Sequence, residues 1–194
     1  MAVMSFQLTG VPEADAVLDR DPFALVSAMM LDQQYPMEHA FRGPWKVLER
    51  FGSLEPAAIA GADPDAFAAL CATPPAVHRY ARSMATRLQE LARVVVDEYD
   101  GDASRIWTEA TTGADLLRRV QALPGFGKQK AQILVALLAK QLGVRPEGWE
   151  KAAGDYALEG YRSVADVVDS VSLQKVRDYK KAKKASPAAS RPSP

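Results

Sequence analysis

The stretch that decides the fold runs from Leu116 to Ala131 and reads LLRRVQALPGFGKQKA. Pro124 cannot continue a helix, because it has no backbone N–H to donate and its ring fixes φ. Gly125 and Gly127 permit backbone angles that are closed to other residues. Apolar residues at helical spacing lie on both sides of these three residues. The sequence therefore predicts a hairpin of two helices over residues 115–142.

The turn of this hairpin has the chemistry of a phosphate site. The absent side chains of the two glycines let an anion approach the backbone, and the N-terminus of the second helix presents free N–H groups and a favourable dipole. Lys128 and Lys130 follow at once and carry the charge that pairs with a phosphate. An ordinary loop between two packed helices is the alternative interpretation of the same residues.

Apolar residues recur at helical spacing almost everywhere else, and no convincing run of alternating β-branched residues is present, so we predict an all-α fold. Phe23, Val26, Met30 and Gln33 fall on one stripe of a helix that Asp21 and Pro22 open. The remaining predicted helices cover residues 37–51, 55–60, 64–71, 77–95, 115–123 and 128–142.

Composition narrows the class of protein. The chain has 194 residues, 48% hydrophobic and 25% charged, which is typical of a folded globular protein. No run of 18 apolar residues could span a membrane, and residues 1–8 lack the basic start of a secretory signal, so we expect a cytoplasmic protein. The single cysteine, Cys71, excludes an intrachain disulfide and a cysteine-ligated cluster in this sequence.

Charge is distributed unevenly although the formal net charge is +0. Residues 175–194 hold seven basic side chains and one acid, Asp178, so the 24 basic and 24 acidic residues of the chain leave residues 1–174 with an excess of acids. We expect one helical domain over residues 1–174 and a basic, disordered tail over 175–194. The tail either binds a polyanion by releasing counterions or is a solvated end.

Leu123 to Ala131 resembles the helix-hairpin-helix motif, whose usual form is Leu-Pro-Gly-(Val/Ile/Phe)-Gly followed by polar residues and an alanine. Residues 21–34 resemble the early helix, with its terminal Gln-Gln, of the HhH-GPD superfamily of base-excision DNA glycosylases, the relatives of endonuclease III. Residues 80–102 resemble the long central helix of that fold. The likeness covers about residues 20–143 in the family's order.

This resemblance implies a two-lobed helical protein that binds duplex DNA, flips a nucleotide into a pocket between the lobes and cleaves its N-glycosidic bond. The residues that it implies for DNA contact are Leu123, Pro124, Gly125, Phe126, Gly127, Lys128 and Lys130. Gln33, Gln34 and Trp149 are the candidates for the base pocket. Gln33 is equally well explained as a core amide bonded to backbone, and a tryptophan is more often a core residue.

The sequence departs from the family pattern where the catalytic aspartate is expected, since no Val-Asp-(Thr/Ser)-His-like string follows the hairpin. The family spacing, counted from Gly127, falls near Glu147, and the first aspartate after it is Asp155. A carboxylate suits the role because positive charge develops on the sugar. Either Glu147 substitutes, or Asp155 reaches the site, or the protein does not cleave DNA.

Other departures limit the chemistry. Bifunctional members of the family place a Schiff-base lysine where this sequence has Gln129, and Lys128 and Lys130 are expected to point elsewhere on the helix, so we predict no lyase step. The four-cysteine iron–sulfur loop of endonuclease III is missing. His39 and His78 lie in separate segments, and we expect no metal and no cofactor.

These patterns predict a monomeric, nucleoid-associated DNA-repair protein, a monofunctional DNA N-glycosylase that removes a damaged or mispaired base. A catalytically inactive protein that recognises damaged DNA on the same scaffold is the alternative. A helical interaction protein, whose hairpin contacts another protein, is a weaker one. The sequence does not identify the base.

Overall fold

A computed structural model of the protein describes residues 5–186. Twelve α-helices occupy this part of the chain, which contains no β-strand, and the prediction of an all-α fold is confirmed. The helices are α1 (Pro12–Arg20), α2 (Pro22–Leu31), α3 (Met37–Phe41), α4 (Gly43–Phe51), α5 (Pro56–Gly61), α6 (Pro64–Ala72), α7 (Ala81–Tyr99), α8 (Arg105–Thr108), α9 (Gly113–Gln121), α10 (Lys128–Leu142), α11 (Trp149–Ala153) and α12 (Ser170–Ala185). Two 3₁₀ turns, Gly154–Ala157 and Val164–Asp166, lie between α11 and α12.

The helices form two lobes. In the first lobe α2 packs against α1, α3 and α4, and α7 packs against α5 and α6. In the second lobe α10 packs against α9, α11 and both 3₁₀ turns, and α12 packs against the second turn. Apolar side chains of both lobes join in one buried core. No helix in residues 5–186 is long and apolar enough to cross a membrane.

Helix α2 is the central helix of the first lobe, since every residue from Phe23 to Leu31 is buried. Asp21 caps its start by accepting hydrogen bonds from the N–H groups of Phe23 and Ala24. Burying one large aliphatic or aromatic side chain contributes about 1.5–3 kcal/mol. Such a helix cannot rotate without exposing apolar surface. The position of its C-terminal end is therefore fixed by the packing of the first lobe.

The predicted single helix over residues 37–51 is wrong, because the chain breaks at Arg42 into α3 and α4. Pro44 has no N–H to continue the ladder of α3. Gly43 packs so tightly that a Cβ there would lie 2.4 Å from Leu31 Cδ1. The break therefore lets the chain turn closely around the end of α2.

The predicted boundary of a disordered tail at residue 175 is also wrong, because α12 runs from Ser170 to Ala185 across it. Asp169 and Ser172 form a capping box at its start, and the lysines and alanines that follow favour a helix. The rest of the predicted tail, residues 187–194, lies outside the described residues.

Candidate functional site

The hairpin formed by α9 and α10 is held from below by its own apolar side chains. Leu123 and Phe126 are both buried in the core, and the N–H of Phe126 donates to the carbonyl of Leu123 at 3.2 Å. Gly125 has a φ of +83°, and a Cβ there would lie 2.9 Å from Met30 Cγ. The turn is thus pressed onto the C-terminal end of α2, and only glycine fits at its tip.

The upper surface of the hairpin is open. Gly127 is the N-cap of α10, and a Cβ built on it meets no heavy atom within 4 Å. No side chain caps the helix at this end, so the first backbone N–H groups of α10 are free to bind an anion. Lys128 is exposed beside them. The geometry is therefore compatible with a phosphate of a nucleic-acid backbone at this turn.

A cleft of about 930 Å³ lies between the two lobes. The first lobe contributes the end of α2, the loop that follows it and Arg79, and the second lobe contributes α10, α12 and part of the chain between them. The lining side chains that the site uses are Asp32, Gln33, Gln34, Gln129, Lys130, Tyr156, Arg177, Lys180, Lys183 and Lys184. Lysine and arginine side chains therefore make the lining of this cleft positively charged. Its volume can hold a group of the size of a nucleotide.

Lys130 lies at the boundary of hairpin and cleft. Its Nζ donates to the backbone carbonyl of Met30 at 3.0 Å. The pKa of Lys130 is lowered to about 8, chiefly by burial; the charge of Asp32 opposes this lowering, and the charge of Arg87 adds to it. Lys130 was expected to point elsewhere on the helix than Gln129, but both residues line the cleft, because the first turn of α10 meets the end of α2.

Asp32 is the only acid that lines the cleft among the described residues. Burial raises the pKa of this carboxyl, and the positive charges of Lys180 and Lys130 act in the opposite direction. These charges act at a distance, since no donor within residues 5–186 contributes a hydrogen bond to the carboxylate. Asp32 is half-buried, so part of its side chain remains open to the cleft.

Helix α12 crosses the cleft and ties the lobes together. Arg177 of α12 forms an ion pair with Glu38 of α3, and Lys180, Lys183 and Lys184 continue along the cleft. Arg177 is also among the causes that lower the pKa of the Glu38 carboxyl, although burial opposes it. The basic segment that the sequence placed in a tail is therefore part of the wall of the cleft.

A family model described as the HhH-GPD superfamily of base excision DNA repair proteins matches residues 27–190, most of the chain. The chain belongs to the HhH-GPD superfamily. This confirms the resemblance inferred from the hairpin and from the end of α2. No curated protein sequence matches the chain.

Solved structures of an endonuclease III complex and of two DNA glycosylases are similar to this HhH-GPD protein. A non-covalent endonuclease III–DNA complex is 17% identical over 87% of this chain and 67% of that chain, with a TM-score of 0.46. A thermostable thymine-DNA glycosylase is 17% identical over 90% and 78% of the two chains, with a TM-score of 0.43. The 3-methyladenine DNA glycosylase of H. pylori, bound to 1,N6-ethenoadenine, is 18% identical over 87% and 93%, with a TM-score of 0.45.

The HhH-GPD protein brings two of the three predicted pocket residues to the cleft. Gln33 and Gln34 both line it, although α2 ends at Leu31 and Gln33 does not continue the helical stripe that the sequence predicted. The Gln33 amide donates to the Met30 carbonyl at 2.9 Å, and its oxygen accepts from Arg87 at 3.2 Å. Gln33 is therefore held in place by bonds to both ends of its amide.

Gln34 has a φ of +50°, which is rare for a residue with a side chain. His78 fixes the loop beside it. The backbone N–H of Tyr80 donates to His78 Nδ1 at 2.9 Å, so Nε2 carries the proton and donates to the carbonyl of Gln33 at 3.0 Å. The exposed side chain of Gln34 thus lies on a loop whose backbone is held by the hydrogen bonds of His78.

The other predicted site residues lie away from the cleft. Trp149 is half-buried, 5.9 Å from the guanidinium of Arg145, and its backbone packs closely on Gly113 of α9. Glu147 is exposed, and its carbonyl accepts from the N–H of Gly113 at 2.8 Å. Asp155 is exposed in the 3₁₀ turn after α11. None of these three lines the cleft.

Sequence reasoning missed two residues of the site, Asp32 and Tyr156. Tyr156 lines the cleft, and its hydroxyl accepts from the amide of Gln129 at 2.8 Å. Nothing in its local sequence marks it. Asp32 had a signal, since it is the first charged residue after nine buried residues of α2 and precedes the Gln-Gln pair. No group of three or more potential metal ligands occurs in the described part of the chain.

Proposed function

We propose that this HhH-GPD protein is a monofunctional DNA N-glycosylase of base-excision repair. The observation that carries the proposal is the adjacency of hairpin and cleft. Gln129 and Lys130, two and three residues after the open Gly127, already line a cavity that can take a nucleotide. A duplex whose phosphate binds at the hairpin would lie beside that cavity, which suits an extruded nucleotide.

The duplex is expected to bind through the hairpin residues that the sequence singled out. Gly127 and the free N–H groups of α10 take one phosphate, and Lys128 adds a charge at the exposed surface. Pro124 and Gly125 shape the turn, and Leu123 and Phe126 support it from the core. Lys130 contributes to the cleft, because its amine is held at the Met30 carbonyl.

The reaction is a hydrolysis. The bond from the sugar C1′ to the base nitrogen breaks, a bond from C1′ to a water oxygen forms, and the proton of that water leaves to a carboxylate while the departing base gains a proton. Positive charge develops on the sugar, so a carboxylate in a dry site stabilises the transition state. Glu147, which lies near the family spacing, and Asp155, the first aspartate after it, are the two acids that the sequence suggests for this role.

A Schiff-base step is not part of the proposal. Gln129 stands where bifunctional relatives have their lysine, and its amide is bonded to Tyr156. Reduction with borohydride in the presence of DNA is expected to trap no covalent adduct. A trapped adduct that disappears in Lys130→Gln would contradict the monofunctional assignment.

The alternative function is recognition of damaged DNA without cleavage. It is favoured by one observation, that Glu147 and Asp155 lie outside the cleft. Duplexes that carry uracil, alkylated, oxidised or mismatched bases, incubated with the protein and then heated in alkali, separate the two functions. Strand breaks at one class of base support the glycosylase. Tight binding with no break on any duplex supports the inactive binder.

A further inference from the structure

Asp32 combines three features that no other acid among residues 5–186 shows together. It lines the cleft, it follows directly on the most buried helix of the first lobe, and its carboxylate lacks a hydrogen-bond donor. Asp32 is half-buried, and partial removal of a carboxylate from water without a compensating hydrogen bond costs stability. A charged residue that lowers the stability of the folded protein and faces a cavity is a candidate for a binding or catalytic role.

The backbone of Asp32 is held firmly. Its N–H donates to the carbonyls of Ala28 at 3.1 Å and Met29 at 3.3 Å, which closes the last turn of α2. Gln33, the next residue, is fixed by Arg87 and His78. The backbone of Asp32 therefore lies at a defined point of the cleft wall, from which its side chain reaches the cleft.

The positive charges around Asp32 come from the second lobe. Lys130 lies on α10 and Lys180 on α12, and both favour the ionised carboxylate. Glu38 is the acid whose charge opposes ionisation. With two cations from the second lobe facing it, Asp32 can be ionised in spite of its burial, and a sugar bound between the lobes would lie between these charges.

We propose that Asp32 is the catalytic carboxylate of the cleft, in place of Glu147 and Asp155. The assignment rests on the proposed glycosylase function. In the hydrolysis Asp32 faces the sugar, stabilises the positive charge that develops as the C1′–N bond breaks, and accepts the proton of the water whose oxygen bonds to C1′. The released base takes a proton from solvent, and after the product leaves, the Asp32 carboxyl gives the proton that it accepted from the attacking water back to bulk water.

The test compares base release by the wild type, Asp32→Asn, Glu147→Gln and Asp155→Asn under single-turnover conditions. Asp97→Asn on the exposed face of α7 is the control for loss of a carboxylate elsewhere. Asp32→Asn is expected to slow base release on the order of 10² to 10³. Its duplex affinity is expected to equal that of the wild type, and Asp97→Asn is expected to retain the wild-type rate.

A second measurement separates catalysis from a structural role. Because burial disfavours the ionised form of Asp32, the neutral amide is expected to raise the melting temperature while base release falls. A carboxylate kept for structure would lower the melting temperature when it is replaced. Loss of activity with a lower melting temperature and lower affinity would overturn the assignment.

The remaining outcomes distinguish this inference from the function on which it rests. An active wild type with an equally active Asp32→Asn overturns the role of Asp32 and leaves the glycosylase intact. An active wild type that is inactivated by Glu147→Gln or Asp155→Asn, but not by Asp32→Asn, returns the role to the segment after the hairpin. A wild type that releases no base overturns the glycosylase itself, and the catalytic assignment falls with it.

Discussion

Lys130 Nζ donates a hydrogen bond to the backbone carbonyl of Met30 at 3.0 Å, across the boundary between the two lobes. This bond spans 100 residues of sequence. It places an amine of lowered pKa in the wall of the cleft, within the first turn after the hairpin. The hairpin and the cleft are thus parts of one structure.

The first prediction concerns the charge of Lys130. Its pKa is about 8 in the folded protein and about 10.4 in an unfolded chain. The unfolded state therefore binds more protons between these two values, and the free energy of unfolding should rise with pH in that window. Denaturant titrations at several pH values measure the slope, and Lys130→Met should reduce it. An unchanged slope in the variant would contradict the low pKa.

The second prediction concerns the tip of the hairpin. Gly125→Ala places a Cβ 2.9 Å from Met30 Cγ at a residue with a φ of +83°. The strain of that backbone angle costs about 1–3 kcal/mol, so the melting temperature should fall. Gly61→Ala is the matched control, because the added Cβ meets no heavy atom within 4 Å and Gly61 does not have a positive φ. Equal melting temperatures for the two variants would show that the turn relaxes freely.

The third prediction concerns the surface of the hairpin. Gly127→Val should weaken duplex binding with little loss of stability, because nothing in the protein meets the added side chain but a phosphate would. Fluorescence anisotropy at fixed salt measures the affinity. Gly61→Val in the other lobe adds the same side chain away from the hairpin. If Gly127→Val binds duplex as the wild type does, the hairpin is not the anchor.

The fourth prediction concerns the cations of α12. Replacing Lys180, Lys183 and Lys184 by Gln should weaken duplex binding and flatten its salt dependence. Each phosphate contact that is lost removes about 0.9 from the slope of log affinity against log salt. Lys151→Gln on α11, outside the cleft, should change neither quantity. A triple variant with the wild-type slope would show that these lysines do not contact phosphate.

Local sequence was sufficient to predict most helices and the hairpin. Asp21 and Pro22 mark the start of α2, and the turn from Pro124 to Gly127 marks the start of α10. These features depend on backbone chemistry within a few residues, so a pattern in the chain reveals them. The break at Arg42 has a local signal in Pro44, but the close turn there also depends on Gly43 packing against Leu31, a contact between elements that no local pattern contains.

The candidate site was harder to predict because distant segments build it. The Gln-Gln pair lines the cleft because it follows the end of a buried helix, and its role in a base pocket stays a prediction. The return of α12 to the cleft depends on the pairing of Arg177 with Glu38, 139 residues apart in sequence. No local pattern contains that pairing. The direction of the Lys130 side chain likewise depends on the packing of α10 against the end of α2, where its amine donates to the Met30 carbonyl.

Met30 joins the two lobes through both its side chain and its backbone. Its side chain lies under Gly125 at the tip of the hairpin, and its carbonyl accepts the amine of Lys130. A force applied to the hairpin would reach the end of α2 through these contacts without passing through a flexible loop. Variation at position 30 should therefore alter duplex affinity and the shape of the cleft together, and the two properties cannot be tuned independently at this residue.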